Sequence, residues 1–298
     1  RVLATPFEQE SGARIEEVGL RSADQVARLR IERAQPSFDV LWIDMSEALL
    51  LAREGLLLTV DASTVPSVSH VPDELRTAAG IAPPAFASAL GFLYNTQRLP
   101  TPPASWAALW SPSLGDQLAL FDFGSNLGPM TLVMAARLAG GGVDDIEPGF
   151  SRLADLLPNV HVFGTSGPAN NSLVAQGEVG LTLGLANQAR DLAATGAPVA
   201  WLVPEEGALA LPQGFQIVAG TSRRDLALQF LEFVFRTDTQ TRLANQLLFV
   251  VSNRDATLAP ENAALVPVHR ILYFDLEAIG ARRGAWTNRF NREIAARP

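Results

Sequence analysis

The chain has 298 residues, 48% hydrophobic and 18% charged, enough for a large core and long enough for two lobes. A formal net charge of −8 excludes the clustered Lys and Arg with which nucleic-acid binders displace counterions from phosphates. Cysteine is absent, which excludes disulfides, thiolate nucleophiles and Cys-ligated zinc; the three histidines, His70, His161 and His269, fit no ligand spacing, so neither metal nor cofactor is expected.

The opening "RVLATPFEQESG" has neither a basic nor an apolar leader region, so a signal peptide is expected to have been removed or to lie outside this sequence. No apolar run reaches the roughly 18 residues of a membrane span. Ile15 to Val18 reads as a short strand. In "SADQVARLRIERA", Ser22 and Gln25 have capping-box spacing ahead of an amphipathic helix. "FDVLWID", residues 38–44, is a continuous apolar run, which predicts a strand buried on both faces of a parallel sheet. Ser46 is expected to cap the helix "SEALLLAREG", which stops at Gly55.

"ASALGFLYNTQRLP" is a second apolar run, and the proline cluster after it marks a change of texture. A short helix around Trp106 and Trp110, a strand at Leu118–Phe121, the turn "FGSNLGP" and a helix from Pro129 to Leu138 come next. After the break "GGG" a helix spans Phe150 to Leu157, and "VFGTSGPANNSLVAQG" gives a strand, a donor-rich turn and a helix. "VGLTLGL", "ANQARDLAATG", "PVAWLVP", "GFQIVAG" and "SRRDLALQFLEFVF" continue the alternation. The result is α/β layering, with ligands expected beyond the carboxyl ends of strands, where Asp44, Asp122 and the turn at Gly164 fall.

Thr165, Ser166, Asn170, Asn171 and Ser172 surround Pro168 at a helix start, where free backbone N–H groups and the helix dipole favour an anion. Ser125 and Asn126 repeat that arrangement. Helix capping is the ordinary reading of such residues. No Lys follows either turn, so neither is a phosphate-cradling P-loop, and "GSNLG" is not a nucleophile elbow. Asp44 and Met45 follow a strand as a third candidate. Of Glu205 and Glu206, adjacent carboxylates that diverge, one is expected to be structural. Phe230, Phe233 and Phe235 recur with a helical apolar face and are expected in the core. "RRGAWTNRFNRE" reads as a solvated helix.

Several segments, in chain order, resemble the periplasmic solute-binding proteins of ABC importers, in the group around the spermidine and putrescine receptors: "PFEQESGARI", "FDVLWID" with "EGLL", "GFLYNTQRL", "PASWAALWSPSLGDQLAL", "QGEVGLTLG", "GAPVAWLVPEEGA", "GFQIVAGTSRRDLALQFLEFVF" and "FDLEAIGARRGAWTNRFNREI". The resemblance implies a type II periplasmic-binding-protein-like α/β fold of two lobes joined by two crossover hinge strands, with a solute enclosed between them. Lobe I would be 1–93 plus 212–298 and lobe II 94–211, with Gly91, Gly207 and Gly214 near the hinges. Relatives begin with a strand and loop that touch the solute, and nothing corresponding precedes "RVLATPFEQE".

Polyamine receptors are expected to offer aromatic walls and carboxylates to a dication. Leu185 and Leu211 stand here where the walls are expected, and Ser166 and Gln213 where the acids are expected. Ferric-ion receptors, which also resemble this group, carry adjacent tyrosines, whereas only Tyr94 and Tyr273 exist here. The resemblance thus implies an extracytoplasmic receptor, monomeric and without catalytic residues, that delivers a small polar, anionic or zwitterionic solute to the membrane subunits of an ABC permease. Asp44, Met45, Ser125, Asn126, Thr165, Ser166, Asn187, Arg190, Glu206 and Gln213 are its expected contacts. The alternatives are a polyamine receptor, an enzyme on a similar two-lobed scaffold, which would need a cysteine, a catalytic lysine or a general-base histidine, and the effector-sensing domain of a regulator, which would need a DNA-binding helix pair.

Overall fold

The structure, a computed structural model, describes residues 2–295. In chain order its elements are α1 (Ala4–Ser11), α2 (Ser22–Ile31), β1 (Val40–Asp44), α3 (Met45–Arg53), β2 (Phe86–Asn95), β3 (Leu118–Phe121), α4 (Leu127–Leu138), α5 (Glu147–Leu156), β4 (Val160–Gly164) and α6 (Gly167–Gln176). There follow β5 (Leu181–Gly184), α7 (Ala186–Ala194), β6 (Val199–Leu202), β7 (Ala208–Ile217), α8 (Arg224–Phe235), α9 (Thr237–Gln246), β8 (Val250–Val251), β9 (Ile271–Leu272) and α10 (Leu276–Phe290). The chain divides into two compact units, Arg1–Ser88 with Leu211–Val266 and Ala89–Ala210 with Pro267–Pro298, and the strands β2 and β7 run from one into the other.

In the first unit β1 pairs antiparallel with β7, Asp44 opposite Gln213 and Trp42 opposite Phe215. The apolar run 38–44 is therefore not a doubly covered parallel strand. Its burial alternates, Leu41 and Ile43 inward at 2% and 1% exposure and Trp42 at 47%. A run of large residues satisfies either pattern, because Trp keeps an apolar body in contact with Phe86 and Phe215 while exposing its rim. Residues 12–21 form no ladder, so the strand expected at Ile15–Val18 is absent. The Ser22–Gln25 spacing does not close a capping box either. Ser22 Oγ accepts from Asp44 N at 3.2 Å, and Gln25 Nε2 donates to Leu20 O and Trp42 O, so both side chains satisfy backbone groups of β1 instead. Ser46 is not a cap but the second residue of α3, which starts at Met45 with Asp44 at the N-cap position. Phe233 and Phe235 lie in the core, and Phe230 packs edge-on against Phe7 and Phe215.

In the second unit β3 lies parallel to both β4 and β5, and β2 pairs antiparallel with β5 and β6. Gly91 of β2 is there for close approach rather than flexibility: a Cβ would lie 2.3 Å from Leu202 O and 2.8 Å from the Trp201 ring. Of the tail expected with the first lobe, 267–298 belongs to this unit. Helix α10 is not a solvated helix but buries Trp286 and Phe290, the latter stacked on Phe123 at 4.2 Å. Strand β9 pairs with Ala208 and Leu209 of β7.

Candidate functional site

The second unit gathers three helix starts at the carboxyl ends of neighbouring parallel strands. Strands β5, β3 and β4 lead into α7, α4 and α6, helices of 9, 12 and 10 residues whose first N–H groups point back toward the strand ends. The β3–β4 ladder ends with Phe121 opposite Gly164 and a last bond from Asp122 N to Gly164 O at 3.1 Å, after which the two chains part into turns. Ser125 and Asn126 occupy one turn, Thr165 and Ser166 the other, and Asn187 the start of α7.

The hydroxyls do cap. Ser166 is the N-cap of α6 and its Oγ accepts from Ala169 N; Ser125 Oγ accepts from Leu127 N and donates to Asp122 O. Capping and binding are compatible for Ser166, because a hydroxyl that accepts from the backbone keeps its own proton to donate. Thr165 and Ser166 are exposed, whereas Ser125, Asn126 and Asn187 are half-buried. Asn187 Oδ1 accepts from Gln188 N at 2.8 Å. Sequence reasoning passed over Gln188, whose Oε1 receives Leu185 N and Asn171 Nδ2 and ties α6 to the start of α7; its signal was the third-residue position in the helix.

Two expected contacts serve other purposes. Glu206 accepts from Ser105 Oγ at 2.8 Å and from Trp106 N at 2.9 Å, so both carboxylate oxygens cap the short 3₁₀ turn Trp106–Trp110. Burial pushes its pKa up, but the bonds from Trp106 N and Ser105 outweigh that and hold it below the usual carboxylate range. A lowered native pKa adds stability above the unfolded-state value and loses it as pH falls through the native one. Melting followed from pH 7 to pH 3 is therefore expected to show wild type losing more stability than Glu206→Gln below about pH 4.3; parallel curves would remove this role. Arg190 is exposed and pairs with Asp191 on α7.

In the first unit Gln213 Nε2 donates to Asp44 Oδ1 at 2.7 Å and Ser88 Oγ donates to Gln213 Oε1 at 3.2 Å, a relay that orients the amide between β7 and β1. Ser88 is a member that sequence reasoning missed, since only the pairing of β7 brings position 213 to it. Met45 is buried at 4% exposure, with Sδ against Gln216 Nε2, so its side chain belongs to the core. Among the described residues no group of three or more His, Cys, Asp or Glu is placed to hold a metal, and no helix is long and apolar enough to cross a membrane.

The profile of the bacterial extracellular solute-binding proteins matches residues 2–266. The chain belongs to that family. Among its relatives, the spermidine/putrescine-binding periplasmic protein of Escherichia coli is 30% identical over 188 residues, 62% of this chain and 51% of the relative, so the chain spans about half the length of curated relatives that it matches. A putative 2-aminoethylphosphonate-binding periplasmic protein of Salmonella typhimurium is 26% identical across 80% of this chain and 69% of its own length. The periplasmic binding protein AfuA from Actinobacillus pleuropneumoniae, solved with fructose-6-phosphate bound, superposes with a TM-score of 0.81 at 22% identity, covering 99% of this chain and 95% of that one. That likeness establishes the two-lobed α/β fold of the periplasmic solute-binding proteins.

Proposed function

We propose that the chain is an extracytoplasmic receptor of an ABC importer, monomeric, that captures a small anionic or zwitterionic solute and releases it unaltered to the membrane permease. The observation that carries the reading is the row of three helix starts at the ends of β5, β3 and β4, furnished with hydroxyls and amides. Oriented N–H groups, helix dipoles and neutral donors suit a carboxylate, phosphate or phosphonate. Ser125, Asn126, Thr165, Ser166 and Asn187 are its contacts in the second unit; in the first, the Asp44 carboxylate, held by Gln213, is an acceptor suited to an ammonium group. The relative named for 2-aminoethylphosphonate supports this class.

A polyamine is the second reading. Trp42 and Asp44 share one face of β1, and an exposed indole beside a carboxylate is what an ammonium seeks. The relatives named for spermidine and putrescine favour it.

A thermal-shift panel of 2-aminoethylphosphonate, inorganic phosphate, putrescine and spermidine separates the two. A solute at about 100 times its Kd adds roughly 2.7 kcal/mol. Stabilisation by the phosphonate with none by the two polyamines is the expected result. The reverse pattern establishes the polyamine reading, and mass spectrometry showing recovered solute chemically changed would overturn the receptor reading.

A further inference from the structure

Helix α10 braces both donor turns of the second unit. Its Arg283 spreads one guanidinium over the first turn: Nη2 donates to Gly124 O at 2.7 Å, Nη1 to Asn126 Oδ1 at 2.8 Å, and Nε leans on Phe123 O at 3.4 Å. Two turns of helix beyond, the ring of Phe290 stacks on Phe123 at 4.2 Å and 14° and receives Phe163 edge-on at 5.0 Å and 88°. Phe123 directly precedes the Gly124–Asn126 turn, and Phe163 precedes Gly164 and Thr165. A single helix thus registers the two turns against each other beyond the last bond of the β3–β4 ladder.

We propose that Arg283 is the positioning residue for solute binding, acting through Asn126; this rests on the receptor reading above. A guanidinium only donates, so the amide oxygen of Asn126 must face it and the Nδ2 donor is turned the other way. That fixes the orientation of the amide in this turn. The planar fork reaches Gly124 O and Asn126 Oδ1 together, which the point charge of a lysine does not do.

The test uses the full chain with Arg283→Met, Arg283→Lys, Asn126→Ala and the double variant Arg283→Met/Asn126→Ala. Affinity is measured by calorimetry for whichever of 2-aminoethylphosphonate, inorganic phosphate, putrescine and spermidine shifts the melting temperature. Each single loss is expected to weaken binding about tenfold, the double variant no further, with Lys recovering only part. Additive losses, or full recovery by Lys, would overturn the proposal. Amide exchange supplies a solute-independent measure: in Arg283→Met the Gly124 and Leu127 amides are expected to exchange about tenfold faster while Ala169 and the α10 amides keep wild-type rates. Unchanged Gly124 and Leu127, or exposure of all of α10, would overturn it. If none of the four compounds binds wild type, the receptor reading fails for these classes, and exchange alone decides whether Arg283 holds the turn.

Discussion

Replacing Trp106 by alanine is expected to cost about 3–5 kcal/mol, the range for emptying a well-packed aromatic site, and to lower the melting temperature by about 10 °C in a chain of this size. Trp106 is 1% exposed, meets the Phe92 ring edge-on at 5.1 Å and donates Nε1 to Gly207 O at 2.9 Å. Its backbone N–H is the one that Glu206 accepts. Gly207 adopts φ of +122°, which other residues reach only with strain, just before β7 sets out toward the first unit. One indole therefore holds a strand of the second-unit core and the start of a crossover strand. Trp106→Phe separates the two functions, since it keeps most of the ring and removes the donor to Gly207. It is expected to lose about 1–2 kcal/mol. A loss under 1 kcal/mol for Trp106→Ala in calorimetric melting would show that this anchor is dispensable.

What was legible in the sequence follows distance along the chain. The Ser166 cap, the strand at 118–121 and the strand within "VGLTLGL" depend on neighbours within a few residues, and the structure has each of them. Ser22 and Gln25 had the right spacing for a local cap, yet their side chains serve β1, 17 to 22 positions away. Nothing in a local pattern separates those uses, because the same amide and hydroxyl fit both. The apolar run at 38–44 hid an edge strand for a related reason: hydrophobicity reports a wish for burial, not how many faces a sheet offers. Arg283 was the largest omission. Among "RRGAWTNRF" it is one of several arginines in a locally charged stretch, and its partner Asn126 lies 157 positions earlier. A local charge count assigns such a residue to solvent.

The same dependence on distant neighbours makes Gly164→Ala the second severe substitution. Nothing in "VFGTSG" says that this position must be glycine, since the backbone at Gly164 is that of a strand end. The constraint comes from Asn170, fully buried at the start of α6, whose Nδ2 donates to Leu120 O at 3.0 Å. A Cβ on residue 164 would lie 1.9 Å from Asn170 Oδ1. That oxygen has no hydrogen-bond partner among the described residues, and its place against the glycine Cα fits a weak Cα–H···O contact. Asn170 cannot swing aside without leaving its own buried Nδ2 without an acceptor, so the strain falls on the β4–α6 turn itself. The expected loss is about 2–3 kcal/mol. Because Gly164 O also takes the last bond from Asp122 N, the displacement reaches both donor turns, and affinity for any solute held there is expected to drop along with stability. Asn170→Ala in the Gly164→Ala background removes the obstructing oxygen. Its cost there is expected to be at least 1 kcal/mol smaller than in wild type, a coupling read from the four melting curves of a double-mutant cycle. Strictly additive costs would mean that the two side chains do not compete for the same space, and the account of this turn would be wrong.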